Sequence, residues 1–283
     1  MCLIAFAIGL RPDLPLWLAS NRDEAFDRPT APLHRWRSDG GVDIVGGRDL
    51  LDGGTWLGIS TAGRVAWLTN VRQADSARGQ RSRGELVTRW LAGRHDAAGF
   101  AEQVEAGHYG GFNLVVGDLL AGQWHWIGNR SPDRPHDPQT PALFHRPLGP
   151  GLYGLSNASL DTPWPKTRRL RQALQAAITP AQPDPDPDHP VLHAALTDHL
   201  PAPDCELPQT GVPVAAERAL SSPFVRMPER GYGTRSSSVL QVRRQGRSTV
   251  AELDEWQHDP GVALPLMDPT RRRQERLDLF RAA

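Results

Sequence analysis

The sequence predicts an α+β fold, a four-layer αββα sandwich made of two mainly antiparallel sheets. Strand-like segments fill much of the first 70 residues and return between about residues 112 and 157. Short turn-forming stretches separate neighbouring segments, which is typical of antiparallel hairpins. Amphipathic helical segments lie between and after the strand groups, where they can cover the outer faces of the sheets. A βαβ-wound fold is not favoured, and no GxGxxG or P-loop sequence supports nucleotide binding.

The first strand group begins with a hairpin. Its two strands flank the turn-type tripeptide Arg11-Pro12-Asp13 and cover LIAFAI (3–8) and LPLWLAS (14–20). Three further strands, separated by Gly-rich turns, are expected in the same sheet: VDIVGG (42–47), TWLGIS (55–60) and RVAWLTNV (64–71). The second strand group comprises FNLVVGD (112–118), QWHWIG (123–128) and LYGLSN (152–157).

Helices are predicted over 84–93 and 96–106 from the spacing of their apolar residues. The clearest helix begins near Asp161-Thr162-Pro163, a capping residue followed by proline, and ends at Thr179-Pro180. A short helix is expected around 191–200, and the tail from Pro269 is helix-like.

The remaining segments complete one domain over residues 1–283. Strands are predicted again at YGTRSSSVLQVR (232–243) and STVAELDEW (248–256). The Pro/Asp-rich stretch 181–190 is expected to be an extended, solvated loop. No internal repeat divides the chain.

Composition excludes several classes of protein. The 32 basic and 32 acidic residues balance, which gives no electrostatic reason to expect nucleic acid or an anionic membrane as a partner. No apolar run reaches the roughly 18 residues of a membrane-spanning helix, and the opening run lacks the basic start and cleavage site of an export signal. The two cysteines form neither a disulfide framework nor a metal cluster. A cytoplasmic protein without a metal is therefore predicted.

The first residues, MCLIAF, raise a chemical possibility. If Met1 is removed, Cys2 carries a thiol and a free α-amine on one residue. The ordinary pKa values of these groups, about 8.5 and 7.7–8.0, let them exchange a proton near neutral pH without a histidine. The alternative is that Cys2 is a small apolar residue buried at the start of a strand.

Such a nucleophile needs oxyanion donors and charged groups that orient its amine and its thiol, and polar residues at later strand ends can supply them. Asp23 can accept from the α-ammonium and Arg22 can lower the pKa of the thiol. Asn70 and Asn157 can donate to an oxyanion, and Arg235 adds a cation before an apolar strand. The structural alternatives are turn-forming asparagines and an ordinary salt bridge for Arg235.

Several stretches together resemble the NRDE-motif family, relatives of the transport and Golgi organisation proteins: MCLIAF, ASNRDE, GGTWLGIS, LTNVR, YGLSNASLDTPWPK and YGTRSSSV. That family is similar in layout to the N-terminal-nucleophile (Ntn) hydrolases, particularly the choloylglycine hydrolase and penicillin acylase branch. The resemblance implies that Cys2 is the nucleophile and Asp23 the partner of its amine. It implies oxyanion-binding and substrate-orienting roles for Asn70 and Asn157, and a place near the thiol for Arg235.

The resemblance also implies a departure from the hydrolase pattern. Those hydrolases have Arg-Asn-x-Asp where this chain has Ser20-Asn21-Arg22-Asp23. Positions 20 and 22 share a face of a regular strand, so Arg22 can replace the missing arginine. Arg22, Asn21 and Trp67 are the expected substrate-binding residues.

Two functions follow from the resemblance. The first is a cysteine hydrolase of a linear, non-peptide amide (C–N) bond, acting on a small-molecule substrate without a cofactor. The second is a haem or lipid/acyl binding and trafficking protein that uses the same pocket without turnover, because the family is linked to haem and lipid handling. The chemical state of Cys2 separates them.

Overall fold

The computed structural model describes residues 2–74, 79–137, 142–179, 189–246, 248–260 and 268–280. Two seven-stranded sheets account for the strands, and every strand pair is antiparallel. Most of the predicted loop at 181–190 lies outside the described residues, since the description resumes at residue 189.

Sheet I has the strand order β10-β1-β2-β12-β13-β14, and the short β11 pairs with β12. Its strands are β1 (Cys2–Arg11), β2 (Leu14–Ala25), β10 (Gly151–Leu155), β11 (Arg226–Met227), β12 (Tyr232–Gln245), β13 (Ser248–Gln257) and β14 (Arg272–Phe280). The two ends of the chain therefore contribute most of this sheet, and β2 lies between β1 and β12.

Sheet II follows the order of the sequence from β3 to β9. Its strands are β3 (Thr30–Arg37), β4 (Asp43–Asp49), β5 (Leu57–Ser60), β6 (Arg64–Asn70), β7 (Phe112–Asp118), β8 (Gln123–Gly128) and β9 (Phe144–Pro147). Such a meander results when each strand is joined to the next by a short turn or a local helical excursion.

Helices cover the outer face of each sheet. The helices are α1 (Gly84–Ala92), α2 (Ala97–Glu102), α3 (Pro165–Ile178), α4 (Pro190–Leu196) and α5 (Val214–Ala219). One apolar cluster fills the space between the sheets, a second joins sheet II to α1 and α2, and a third joins sheet I to α3 and α4. The four-layer αββα architecture predicted from the sequence is confirmed.

Two details of the strand prediction are wrong. The hairpin of β1 and β2 is not in the same sheet as the strands that follow, because the chain crosses to sheet II after Ala25 and starts a new meander. The tail after Pro269 is a strand, β14, rather than a helix. Its buried Leu277 and Leu279 alternate with the exposed Asp278, a period of two that the many charges of this segment obscure.

The polar SNRDE stretch lies within a strand and not beyond its end. β2 continues to Ala25 because β12 supplies a hydrogen-bonded partner from Leu16 to Ala25. No helix in the described part of the chain is long and apolar enough to cross a membrane.

Candidate active site

The thiol of Cys2 lies at the first paired position of β1, opposite Arg22 of β2. Alternate residues of β1 face opposite sides of sheet I, and Cys2 shares its side with Ile4 and Phe6 in the layer between the sheets. Only 9% of Cys2 is exposed, and that part lines a cleft of about 550 Å³ at the edge of this layer. The first strand thus places the thiol at the edge of the layer between the two sheets, where the cleft opens.

The cleft is lined by residues of both sheets and of the loops that close sheet II. These residues are Cys2, Arg22, Asp23, Glu24, Arg28, Asp49, Asp52, Thr55, Trp56, Leu68, Asn70, the segment 79–84, Gly110 and Gly111. Charged groups and glycines dominate this lining, and Trp56 and Leu68 are its large apolar side chains. The lining favours a polar ligand over a wholly apolar one.

Burial controls the protonation of the Cys2 thiol. It raises the pKa of Cys2, and the carboxylates of Asp23 and Glu24 act in the same direction. The positive charges of the amino terminus and, less strongly, of Arg22 oppose the shift without reversing it. The thiol is therefore protonated at neutral pH and needs a base before it can attack a carbonyl.

Arg22 is held rigidly beside the thiol. Its guanidinium lies over the ring of Trp56, 4.0 Å from the centroid, and Nη1 donates to Thr30 Oγ1 at 3.2 Å. Ser20 pairs with Ile4 as Arg22 pairs with Cys2, so positions 20 and 22 share one face of β2. Arg22 therefore lies on the same side of β2 as Ser20.

Arg235 lies behind Arg22. A bulge between Thr234 and Ser236 of β12 adds Arg235 to that strand opposite Arg22. Its Nη1 donates to Ala25 O at 3.2 Å and to Thr30 Oγ1 at 3.4 Å, the same hydroxyl that Arg22 uses. Burial, followed by the charge of Arg22, lowers the pKa of Arg235. Arg235 thus supports the position of Arg22 from behind.

Asp23 is almost completely buried, with 1% exposure. Thr234 Oγ1 donates to Asp23 Oδ1 at 2.6 Å, and Tyr232 OH donates to the Asp23 backbone oxygen at 3.1 Å. Burial raises the pKa of Asp23, while Lys166 and the positive amino terminus oppose that rise. The Asp23 carboxyl is thus fixed at a place where its negative charge stabilises a cation at the start of β1.

The amide of Asn70 is oriented by Asn157. Asn157 Nδ2 donates to the backbone oxygen and to Oδ1 of Asn70, at 3.1 and 3.0 Å. Asn157 Oδ1 in turn accepts from Ser156 Oγ at 3.1 Å and from Lys166 Nζ at 3.5 Å. With its oxygen engaged, Asn70 turns Nδ2 away from Asn157, and its side chain lines the cleft. Asn70 is thereby a candidate oxyanion donor, and Asn157 a residue that positions it.

A buried polar cluster lies below this pair, at the start of α3. Lys166 is 1% exposed, and burial together with the charge of Arg72 lowers its pKa to about 8. Arg72 is itself buried and forms an ion pair with Glu217, whose second oxygen accepts from Thr210. Sequence reasoning missed this cluster. Its one signal was that Lys166 is the single lysine of an arginine-rich chain.

Sequence reasoning also missed Arg83, and it included two residues that the structure does not bring to the cleft. Arg83 precedes α1, and Nη1 donates to Gly111 O across the cleft wall at 3.2 Å. Asn21 is fully buried on the helix side of β2, where Nδ2 donates to Leu196 O at 2.7 Å and to Pro223 O at 2.9 Å. Trp67 is fully buried in the core between the sheets, edge-on to Phe6. Both side chains stabilise the fold.

Within the described residues, no group of three or more His, Cys, Asp or Glu side chains is arranged to hold a metal ion. Two of the carboxylates that line the cleft, those of Asp49 and Asp52, are engaged by arginine. Arg28 Nη2 contacts Asp49 at 2.5 Å and Asp52 at 2.6 Å. The chemistry available to the cleft is that of a thiol, an amide and fixed charges.

These features define an αββα protein with a cysteine-centred cleft between the edges of its sheets. The chain belongs to the Transport and Golgi organisation 2 family, whose family model matches residues 1–256. The Transport and Golgi organization protein 2 homolog of Bos taurus is 36% identical over 279 residues, which cover 92% of this chain and 95% of the bovine protein. The homolog of Homo sapiens is 36% identical over 274 residues and covers 89% and 92%.

Two solved structures are also similar to the chain. One is the Caenorhabditis elegans ortholog of N-acylethanolamine-hydrolyzing acid amidase, with a TM-score of 0.49 and 12% identity over 84% of this chain and 92% of that one. The other is a mutant of the conjugated bile acid hydrolase from Clostridium perfringens, with a TM-score of 0.42 and 10% identity over 94% and 100%. Membership of the family is shown by the sequence matches.

Proposed function

We propose that the protein is a cysteine amidohydrolase that cleaves a linear, non-peptide amide bond, with Cys2 as an N-terminal nucleophile after removal of Met1. The observation that carries the proposal is the meeting of two groups in one cleft. The thiol comes from the start of β1, and the Asn70 amide comes from the end of β6 with its orientation fixed by Asn157. A nucleophile and a preoriented oxyanion donor are the minimum that acyl transfer requires.

The first step forms a thioester. The Cys2 α-amine takes the thiol proton while Sγ attacks the substrate carbonyl, and Asn70 Nδ2 donates to the oxygen that becomes negative. Collapse of the tetrahedral intermediate breaks the C–N bond, and the α-ammonium returns the proton to the leaving amine. The buried, protonated thiol makes this base necessary, because its pKa is raised.

The second step hydrolyses the thioester. The free α-amine accepts a proton from water, and the hydroxide adds to the thioester carbonyl. When the C–S bond breaks, the α-ammonium returns the proton to sulfur, which restores the thiol and releases the carboxylic acid. Asp23 stabilises the ammonium in both steps by its negative charge, and Thr234 fixes the carboxylate through its 2.6 Å hydrogen bond. Arg22 stabilises the thiolate from the neighbouring strand.

The cleft supports the alternative function less well. A haem macrocycle or an acyl chain needs extended apolar walls, whereas the described lining offers Trp56 and Leu68 among many charges. Cys2 is the only described lining residue of a type that commonly ligates haem iron. A haemin titration of the wild type and of Cys2→Ala tests this alternative. An absorption change at micromolar haemin that is lost in the variant would favour binding without turnover.

The decisive experiment follows residue 2 by mass. Intact mass spectrometry is expected to show that Met1 is absent from the purified protein. Acid quenching during incubation with short-chain N-acylglycines and N-acylethanolamines is expected to trap an acyl group on Cys2, with release of free amine.

The matched control is the second cysteine. Cys205 is exposed, so Cys205→Ala should keep both adduct and turnover, whereas Cys2→Ala should abolish them. Retention of Met1, or an adduct that survives in Cys2→Ala, contradicts the proposed mechanism.

A further inference from the structure

The arginines that line the cleft differ in how their charge is balanced. Arg28 contacts the carboxylates of Asp49 and Asp52. Arg81 Nε contacts Glu85 at 2.8 Å. These two cations are neutralised by the protein itself, so they have little attraction left for a ligand.

Arg83 has no such partner in the described part of the chain. Its one side-chain hydrogen bond there runs from Nη1 to Gly111 O at 3.2 Å, which uses one of the five N–H donors of a guanidinium. Glu24 is the carboxylate with the strongest influence on it, but Glu24 lies 4.0 Å from Arg28 and accepts from the Ala25 amide. The charge of Arg83 is therefore not matched by an ion pair.

The surroundings of Arg83 make that imbalance costly. Burial is the largest influence on the pKa of Arg83 and lowers it, whereas Glu24 and a thiolate at Cys2 would both raise it. A cation that is partly removed from water without a counter-ion destabilises the protein. Arg83 itself lines the cleft, together with Gly84, Gly110 and Gly111. Such a site stabilises an anion that enters from outside.

We propose that Arg83 binds an anionic group of the substrate, so that the substrate class of the Cys2 cleft is an amide that also carries a carboxylate, sulfonate or phosphate. This inference rests on the proposed function, since it takes the Cys2 cleft as the substrate site. Arg22 is a poorer candidate because it is 5% exposed, stacked on Trp56 and bonded to Thr30. The guanidinium of Arg83 is planar and can donate two parallel N–H hydrogen bonds to the oxygens of one anionic group.

Alkylation of Cys2 tests the anion site without any turnover. Iodoacetate and iodoacetamide both transfer a CH₂ group to the thiolate and release iodide, and they differ mainly in the negative charge of the first. The ratio of their rate constants at Cys2 is measured by mass spectrometry and divided by the same ratio for N-acetylcysteine. A change in the pKa of the thiol alters both rates equally, so it cancels from this ratio.

The wild type is expected to favour iodoacetate, and Arg83→Gln should lower the ratio about tenfold or more, as expected for loss of a charge-assisted hydrogen bond. Arg83→Lys keeps a positive charge and should retain most of the preference. Arg81→Gln is the matched control, because it removes a cleft cation that Glu85 already neutralises, and it should leave the ratio within about twofold.

A wild-type measurement covers the case in which Arg83→Gln does not fold. Sodium methanesulfonate should slow alkylation by both reagents, and the neutral dimethyl sulfone at the same concentration should not. A wild-type ratio no higher than that of N-acetylcysteine, or equal falls in Arg83→Gln and Arg81→Gln, would overturn the inference. Because alkylation needs no hydrolysis, a preference for iodoacetate without amide turnover would contradict the proposed function alone. Amide turnover without that preference would contradict this inference alone.

Discussion

Replacing Lys166 by methionine tests whether the buried cluster below Asn157 carries an unfavourable charge. Lys166 is 1% exposed at the start of α3, where the helix dipole also disfavours a cation. Its pKa is about 8 instead of the ordinary 10.5, chiefly because of burial and then because of Arg72. Asp23 and Glu217 oppose this shift without overcoming it.

The size and sign of the effect follow from the two pKa values. Below pH 8 the amine is protonated in both the folded and the unfolded chain, so the full cost of the buried charge is present. Between pH 8 and 10.5 the unfolded chain keeps the proton that the folded protein has released, so stability rises with pH. The total change over this window is about 3 kcal/mol.

Lys166→Met has no proton to lose, so its unfolding free energy lacks this contribution. The unfolding free energy of the variant minus that of the wild type should therefore fall by about 3 kcal/mol between pH 7.5 and 10.5 in urea titrations. Arg168→Met is the control on the same helix. Its guanidinium is exposed at the surface, so the corresponding difference should stay constant.

A spectroscopic measurement checks the pKa directly. Because Lys166 is the only lysine of the chain, ¹³C-lysine labelling gives one set of side-chain signals, and the Cε shift reports protonation of a single amine. A titration midpoint near 10.5, together with a flat difference in unfolding free energy, would refute the reasoning about this cluster.

The remaining predictions concern other buried polar groups. Asn157→Leu removes both hydrogen bonds that orient Asn70, so kcat of an active substrate should fall about 10²-fold with KM nearly unchanged; an equal loss expressed only in KM would contradict this role. Arg72→Met leaves Glu217 buried without its partner and should cost about 3–5 kcal/mol of unfolding free energy, whereas the double variant with Glu217→Met should recover most of it. Burial lowers the pKa of His258 from 6.5 to about 4, so stability should fall by up to about 3 kcal/mol as the pH drops through this range, and His258→Phe should flatten that dependence in thermal melts.

The layers of the fold were predictable because burial imposes simple periods on the sequence. The strands over 112–118 and 123–128 were predicted at their observed bounds, since apolar residues and flanking turns mark both ends. The wrong assignment of the C-terminal tail has the opposite cause. Only two buried leucines mark β14, and the strand forms because β13 offers it a free edge.

The candidate site was predictable where chemistry depends on residue type and less so where it depends on geometry. Cys2, Asp23 and Asn70 meet in the cleft as the strand ends suggested. Asn21 was expected to bind substrate because the polar SNRDE stretch was placed at the end of the second strand. Since β2 continues past it, alternation turns Asn21 toward the helices.

Arg83 and Lys166 could not be found from local patterns. Arg83 precedes a helix in a segment rich in arginine, and only the packing of Gly111 against it reveals that it lines the cleft. Lys166 follows a proline at a helix start, where an exposed side chain is the ordinary expectation. Both depend on contacts between segments far apart in the chain.

The central place of β2 in sheet I sets the order of events during synthesis. β1 is available to pair with it at once, but its other neighbour, β12, begins at Tyr232, more than two hundred residues later. The surroundings of residue 2 are therefore complete only when nearly the whole polypeptide has left the ribosome. If Met1 is removed as proposed, an aminopeptidase that acts on the nascent chain reaches it before β12 has been synthesised. Maturation of the nucleophile would then precede the folding that encloses it.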